Sequence, residues 1–377
     1  MQRTDDRRIT YLDGLRGWAA FVVLTYHASF LIFHAVDPIY NYRAVQVLID
    51  GALAVYVFFV VSGFALSIHF LETDNPRVVQ ALALRRYIRL GVPIFFASLA
   101  SYLLLSFGLM VHQPAAAVLR ANVAIIGLDV TPSLPGFLKF ALYGVFFQYR
   151  VPETYDPPLW SMSIELFGSF IVFAMLLLYP KTWSGRIVVF GGFLVGCLAT
   201  QPIYSCFLYG VLLAHISRLG VVRAFRTSLA ATILGLALIA GVALFSAYGR
   251  GLYNGYSMSV AGCALVAAPV VSARIASFFS WRISRFLGRV SFSLYLTHYL
   301  VICSLSSWVV LALASHGVRP EETARVVPLF SIVVSLLAAA GFYRIEAFAI
   351  DLSRKFSDWC LGRADAAAVT DLAAVRK

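Results

Sequence analysis

The chain has 377 residues, 60% of them hydrophobic and only 13% charged, with a mean hydropathy of +0.83. Soluble domains carry about 25% charged residues, so this mix cannot clothe a water-facing surface, and an ordinary soluble enzyme is excluded. The net charge of +12 would suggest a nucleic-acid partner in a soluble protein; here the basic residues punctuate apolar runs that recur from near residue 15 to near 345, so an all-α polytopic protein surrounded by membrane lipid is expected, with no nucleic-acid partner.

A helix needs about 20 apolar residues to cross roughly 30 Å of hydrocarbon. That rule places ten spans, near residues 14–34, 46–71, 89–111, 159–179, 187–200, 203–217, 229–247, 257–273, 291–314 and 326–345. The fifth and sixth are short and joined through Thr200-Gln201-Pro202. Residues 112–158 form the longest connection, with apolar stretches near 115–128 and 134–149 that read as interfacial or re-entrant. A connection this long and apolar is expected to cover or line a cavity. The domain reading is a membrane domain over 1–347 and a short cytoplasmic tail over 348–377. No cleavable signal peptide is expected, because Met1–Thr10 is charged and no small-residue cleavage site follows the first apolar run. Five scattered cysteines without paired spacing read as small packed hydrophobes, and no metal site or bound cofactor is expected.

Charge gives the orientation independently of hydropathy. With the N-terminus in the cytoplasm, ten spans return the C-terminus to the same side. Of the 30 Lys and Arg, the opposite side then keeps only Arg43, Arg120, Lys139, Arg150, Arg250, Arg319 and Arg325. Arg3, Arg7 and Arg8, the cluster from Arg77 to Arg89, and Arg274 to Arg289 all fall on the cytoplasmic side, as the positive-inside rule requires.

An ionisable group inside a span is costly unless it faces the bundle interior, so each one is a question about function. The first helix carries three. At 3.6 residues per turn the eleven-residue step from Arg16 to His27 is three turns plus about 20°, and Asp13 lies about 40° away in the other sense. The three form one polar stripe from the cytoplasmic end to beyond mid-bilayer. Gly14, Gly17, Ala19 and Ala20 keep the same end slender, for close packing or for a ligand. A bland alternative has Asp13 and Arg16 as interfacial anchors and His27 as a satisfied core donor.

Four further helices complete the polar set. In the second helix Ser62 and Gly63 lie in the inner half, where small residues allow close helix approach. Arg85, Arg86 and Arg89 sit at the cytoplasmic end of the third helix; as a cluster they suit bidentate phosphate binding, and singly they suit membrane anchoring. The fourth helix carries Glu165 at a depth similar to that of His27, so the carboxylate is a candidate to orient the imidazole, with a hydrogen bond from Ser161 as its equal alternative. The ninth contains Tyr295 and His298, the latter favoured as structural. No phosphate loop, dinucleotide fingerprint, zinc-ligand helix or nucleophile elbow occurs, and no clear internal repeat supports a transporter built from repeated halves.

In order along the chain, Tyr11-Leu-Asp-Gly-Leu-Arg-Gly-Trp-Ala-Ala with His27, Phe58-Phe-Val-Val-Ser-Gly-Phe64, Arg85-Arg-Tyr-Ile-Arg89, Leu159-Trp-Ser-Met-Ser-Ile-Glu165 and Ser291-Phe-Ser-Leu-Tyr-Leu-Thr-His298 resemble the signatures of the acyltransferase 3 family of membrane O-acyltransferases. The resemblance covers nearly the whole chain. Two departures are the position of Pro93 and the lack of a proline soon after Glu346. The resemblance implies a stand-alone ten-helix enzyme of the bacterial inner membrane. Such an enzyme moves an acyl group, usually acetyl, from cytoplasmic acyl-CoA to a sugar hydroxyl of a surface or exported polysaccharide, lipopolysaccharide or lipo-oligosaccharide. It also implies that Arg16 and His27 are the functional pair. On this reading His27, Glu165 and Asp13 do the chemistry, Arg16, Arg85, Arg86 and Arg89 hold acyl-CoA, and Ser62, Gly63, Tyr295 and His298 support them. A proton-coupled or polysaccharide transporter, a purely structural subunit and transfer of succinyl or a longer acyl chain are the alternatives.

Overall fold

The structure, a computed structural model, describes residues 9–119 and 128–362. Arg3, Arg7, Arg8, Arg120 and the end of the chain after 362 lie outside the described residues. Each of the ten expected spans is a helix: α1 Thr10–Phe33, α2 Gly51–Thr73, α3 Pro76–Ser106, α4 Trp160–Leu177, α5 Trp183–Thr200, α6 Ser205–Arg218, α7 Leu229–Tyr248, α8 Gly255–Val271, α9 Arg282–Ser315 and α10 Pro320–Leu361. Eight of them are long and apolar enough to cross a membrane unaided, and α8 passes the same test only together with the helix Ala273–Phe279, from which it is bent by 105°. The protein is an all-α, multi-pass membrane protein.

The sixth helix departs from the ten full crossings expected. At 14 residues α6 rises about 21 Å, short of the hydrocarbon thickness. It is held inside the bundle against α2 by backbone contact. A Cβ added at Gly63 would lie 1.9 Å from the carbonyl oxygen of Phe207, and one at Gly210 would lie 2.1 Å from that of Val60. Gly63 is therefore a packing residue, and a side chain there would force the two helices apart.

Three helix ends also differ from the hydropathy limits. The side chain of Asn75 accepts from the backbone N–H of Arg77 at 3.0 Å and starts α3 at Pro76, so Arg85, Arg86 and Arg89 lie well inside the helix. The ninth helix starts at Arg282 instead of near 291, and α10 runs unbroken through residue 347 to Leu361. Charged residues had hidden these turns from a hydropathy window.

The parallel pair α1 and α9 forms the centre. Near their N-terminal ends Thr10 Oγ1 and Ser280 Oγ are 3.0 Å apart, and Trp18 Nε1–H donates to Ser284 Oγ at 3.0 Å. The slender end of α1 serves this packing: a Cβ at Gly17 would sit 2.3 Å from the backbone nitrogen of Gly288. Antiparallel α10 lies against α9, with Ser331 Oγ donating to Ser306 Oγ at 2.7 Å. Helices α2, α3 and α4 close the other sides. In the long connection, the described part holds the helix His112–Val118 and the kinked apolar helix Leu134–Phe147, both too short to cross. The first rests on the end of α9, where the backbone N–H of Val111 donates to Cys303 O at 3.1 Å.

Candidate functional site

α1 widens into a π turn over Tyr26–Phe30, and α9 does the same over Ile302–Ser306. Such turns push side chains out of the regular helical register and recur at functional sites. Beside them, His27 Nδ1 and His298 Nε2 are 2.9 Å apart. The second nitrogen of His298, Nδ1, lies 3.0 Å from the carbonyl oxygen of Leu294, which can only accept. The proton assignment follows by elimination for two neutral rings. His298 carries its proton on Nδ1 and accepts on Nε2; His27 donates from Nδ1 and keeps a lone pair on Nε2. The exposures agree with this order, since His298 is 1% exposed while His27 keeps part of its surface open. Tyr299 stands edge-on to both rings, with centroids 5.3 Å from His27 and 6.1 Å from His298.

Towards the end of the bundle where α1 begins, a cavity of about 130 Å³ opens between α1, α2, α3, α4, α9 and α10. Arg16, Arg86, Arg89, Glu165 and Glu346 line it, with Ser62, Phe58, Ser161 and Tyr295. Glu165 accepts from Ser62 Oγ and from the Arg86 guanidinium, which compensates that arginine inside the bundle. Glu346 accepts from Ser293 Oγ at 2.8 Å. Arg16 and Arg89 make no hydrogen bond or close ion pair among the described residues, with Glu346 within electrostatic reach of Arg89, and three guanidinium groups against two carboxylates leave the lining with a formal excess of one positive charge. Guanidinium forks facing a small cavity suit a ligand carrying several anionic oxygens.

Tyr295 joins the two places. It lines the cavity, its ring centroid lies 5.9 Å from that of His298, and its hydroxyl is held by Pro158 O and by Ser161 Oγ at 2.7 Å. The Arg16–His27 stripe therefore runs from the cavity to the histidine pair, an axial distance of about 16 Å.

Several expected roles shift. The pairing of Glu165 with His27 does not form; Glu165 lies in the wall of the arginine cavity, where it is taken by Ser62 and Arg86. The alternative donor Ser161 is bonded to Tyr295 instead. Asp13 lies in the first turn of α1, about 21 Å along the axis from His27, too far to orient the imidazole. Arg85 turns away from Arg86 and Arg89 and lies 3.3 Å from Asp358 near the end of α10. Glu346 and Ser293 were not singled out from the sequence. Hydropathy ended the last span at 345 and so left Glu346 in the interface, whereas the unbroken α10 carries it into the cavity wall. The two histidines find no third ligand, because no group of three His, Cys, Asp or Glu converges among the described residues.

A family model described as an acyltransferase domain matches residues 9–344. The chain is 25% identical over 233 residues to the O-acetyltransferase PaAT-1 of Phomopsis amygdali, covering 52% of this chain and 45% of that protein, so it spans less than half the length of this relative. No solved structure matches the chain.

Proposed function

The chain belongs to the acyltransferase 3 family, and from that premise we propose that it is a membrane O-acyltransferase that moves an acyl group, most simply acetyl, from acyl-CoA to a sugar hydroxyl. The proposed setting is a bacterial inner membrane, with the basic side of the bundle cytoplasmic and the acceptor a surface or exported glycan. The skewed distribution of Lys and Arg supports the orientation.

The observation that carries the reading is the His27–His298 pair, which leaves one imidazole with a free lone pair deep in an apolar bundle. His27 Nε2 takes the proton of the acceptor hydroxyl as its oxygen attacks the thioester carbonyl. The C–S bond then breaks and the proton passes to the leaving CoA sulfur, so atoms and charge balance without another reactant. His298 holds the ring of His27 in the required tautomer, the part a carboxylate plays in a triad. The phosphates of CoA fit Arg16 and Arg89 at the cavity, and its long pantetheine arm reaches past Tyr295 towards His27. Transfer of succinyl or a longer chain uses the same groups.

Mass spectrometry of surface glycans from cells with and without the protein tests this directly. An acyl increment that disappears with the gene supports the reading, and its size names the acyl group. An unchanged glycan together with substrate flux that consumes no acyl-CoA would mean a transporter instead.

A further inference from the structure

Among the described residues, one buried carboxyl group has neither a hydrogen-bond partner nor a place in the histidine pair or the cavity. Asp156 precedes the short turn Pro157–Leu159 that leads into α4. Its backbone is satisfied: the N–H meets Thr154 Oγ1 at 3.2 Å and the carbonyl accepts from Leu159 N–H at 3.0 Å. Its side chain is 0% exposed, yet neither carboxyl oxygen has a hydrogen-bond partner among the described residues.

Two other aspartates show what such a residue ordinarily does. Asp37 and Asp50 also precede helical turns, and each accepts from its own helix start, Ile39 N–H and Leu53 N–H respectively, both at 3.0 Å. Asp156 makes no such cap. A buried carboxyl without a partner costs stability, and where one persists a functional use is the physical expectation. Burial alone holds the Asp156 carboxyl well above the ordinary carboxylate range, which favours its protonated form.

Its surroundings place it near the tyrosines that pack on the histidines. Tyr295 and Tyr299, the two rings packed around His27 and His298, lie within electrostatic reach of it, as do Tyr149 and Cys303. The hydroxyls of Tyr149 and Tyr295 are spent on the next two carbonyls, Pro157 O and Pro158 O. Tyr299 and Cys303 also line a small cavity of about 20 Å³ under the helix His112–Val118, on the side of the histidine pair away from the arginines.

We infer that Asp156 is a positioning residue for the acceptor: its carboxyl binds one hydroxyl of a polyhydroxylated acceptor while a neighbouring hydroxyl meets His27. The inference rests on the reading of His27 as the base. It requires an acceptor with adjacent hydroxyls, which a simple alcohol lacks.

The test compares the full-length protein with Asp156→Leu, Asp156→Asn and His27→Ala. Three quantities are read: O-acyl content of cell glycans by mass spectrometry, and the Tm and acetyl-CoA affinity of the purified protein. Asp156→Leu should match or exceed the wild-type Tm and keep acetyl-CoA affinity, while acyl transfer falls roughly ten- to a hundredfold. Asp156→Asn, which can still donate and accept, should recover part of that loss. Wild-type transfer in Asp156→Leu overturns the inference, and so does a fall in Tm that accompanies lost transfer in both variants, which would mean a structural role. Wild-type transfer in His27→Ala would instead overturn the underlying reading of the base.

Discussion

The histidine pair and the arginine cavity, whose Arg16 and His27 lie about 16 Å apart along one helix, solve the cost of buried polarity in opposite ways. At His27 the solution is neutral. Two imidazoles and a backbone carbonyl form a directed chain, with no carboxylate bonded to either ring among the described residues. At the cavity it is ionic: three guanidinium groups gather around two carboxylates, and among the described residues only Arg86 of the three is held by a close ion pair. A neutral base suits proton exchange with an uncharged hydroxyl, and a surplus of positive charge suits a polyanionic donor. The bundle thus separates the place where a charged ligand is gripped from the place where a bond changes, with Tyr295 between them.

Substitutions at the two places should separate accordingly. Glu165→Gln should do the most damage to the fold. It leaves Arg86 charged and buried without its partner, which costs about 3–5 kcal/mol, and chemical or thermal unfolding in detergent measures it. His298→Ala should spare the fold and acetyl-CoA affinity but lower turnover on the order of 10²-fold, because His27 loses the acceptor that fixes its tautomer. Equal turnover in this variant would remove the directed chain from the account. Arg89→Ala should weaken acetyl-CoA binding roughly ten- to a hundredfold, read by calorimetry, with a smaller effect on turnover at saturating donor. The smallest effect belongs to Arg85→Ala. Its partly exposed pair with Asp358 should contribute less than about 1 kcal/mol, and donor affinity should not change. A loss as large as that of Arg89→Ala would extend the donor site beyond the cavity.

Much of this division is legible in the sequence, because helical periodicity needs no tertiary information. Arg16 and His27 fall on one stripe, and hydropathy finds all ten helices. The partner of His27 was not legible, for a reason that can be traced. Depth counted from hydropathy limits set His298 several ångströms shallower than His27, while Glu165 appeared level with it. Counted from the true helix starts, His27 lies 17 residues after Thr10 and His298 lies 16 after Arg282, so two parallel helices that begin on one face bring the imidazoles together. The early start of α9 is hidden by Arg282, Arg285 and Arg289, which depress any hydropathy window. The same counting misplaced Glu165, which lies with Arg86 in the wall of the cavity. Asp156 was passed over because it lies just outside a span, where a carboxylate is ordinarily solvated, and only its burial sets it apart.

The separation of grip from chemistry is tested most directly by measuring acetyl-CoA binding and acyl transfer together in purified His27→Ala. The account predicts wild-type donor affinity with transfer reduced about 10²–10⁴-fold. Transfer at the wild-type rate would contradict it.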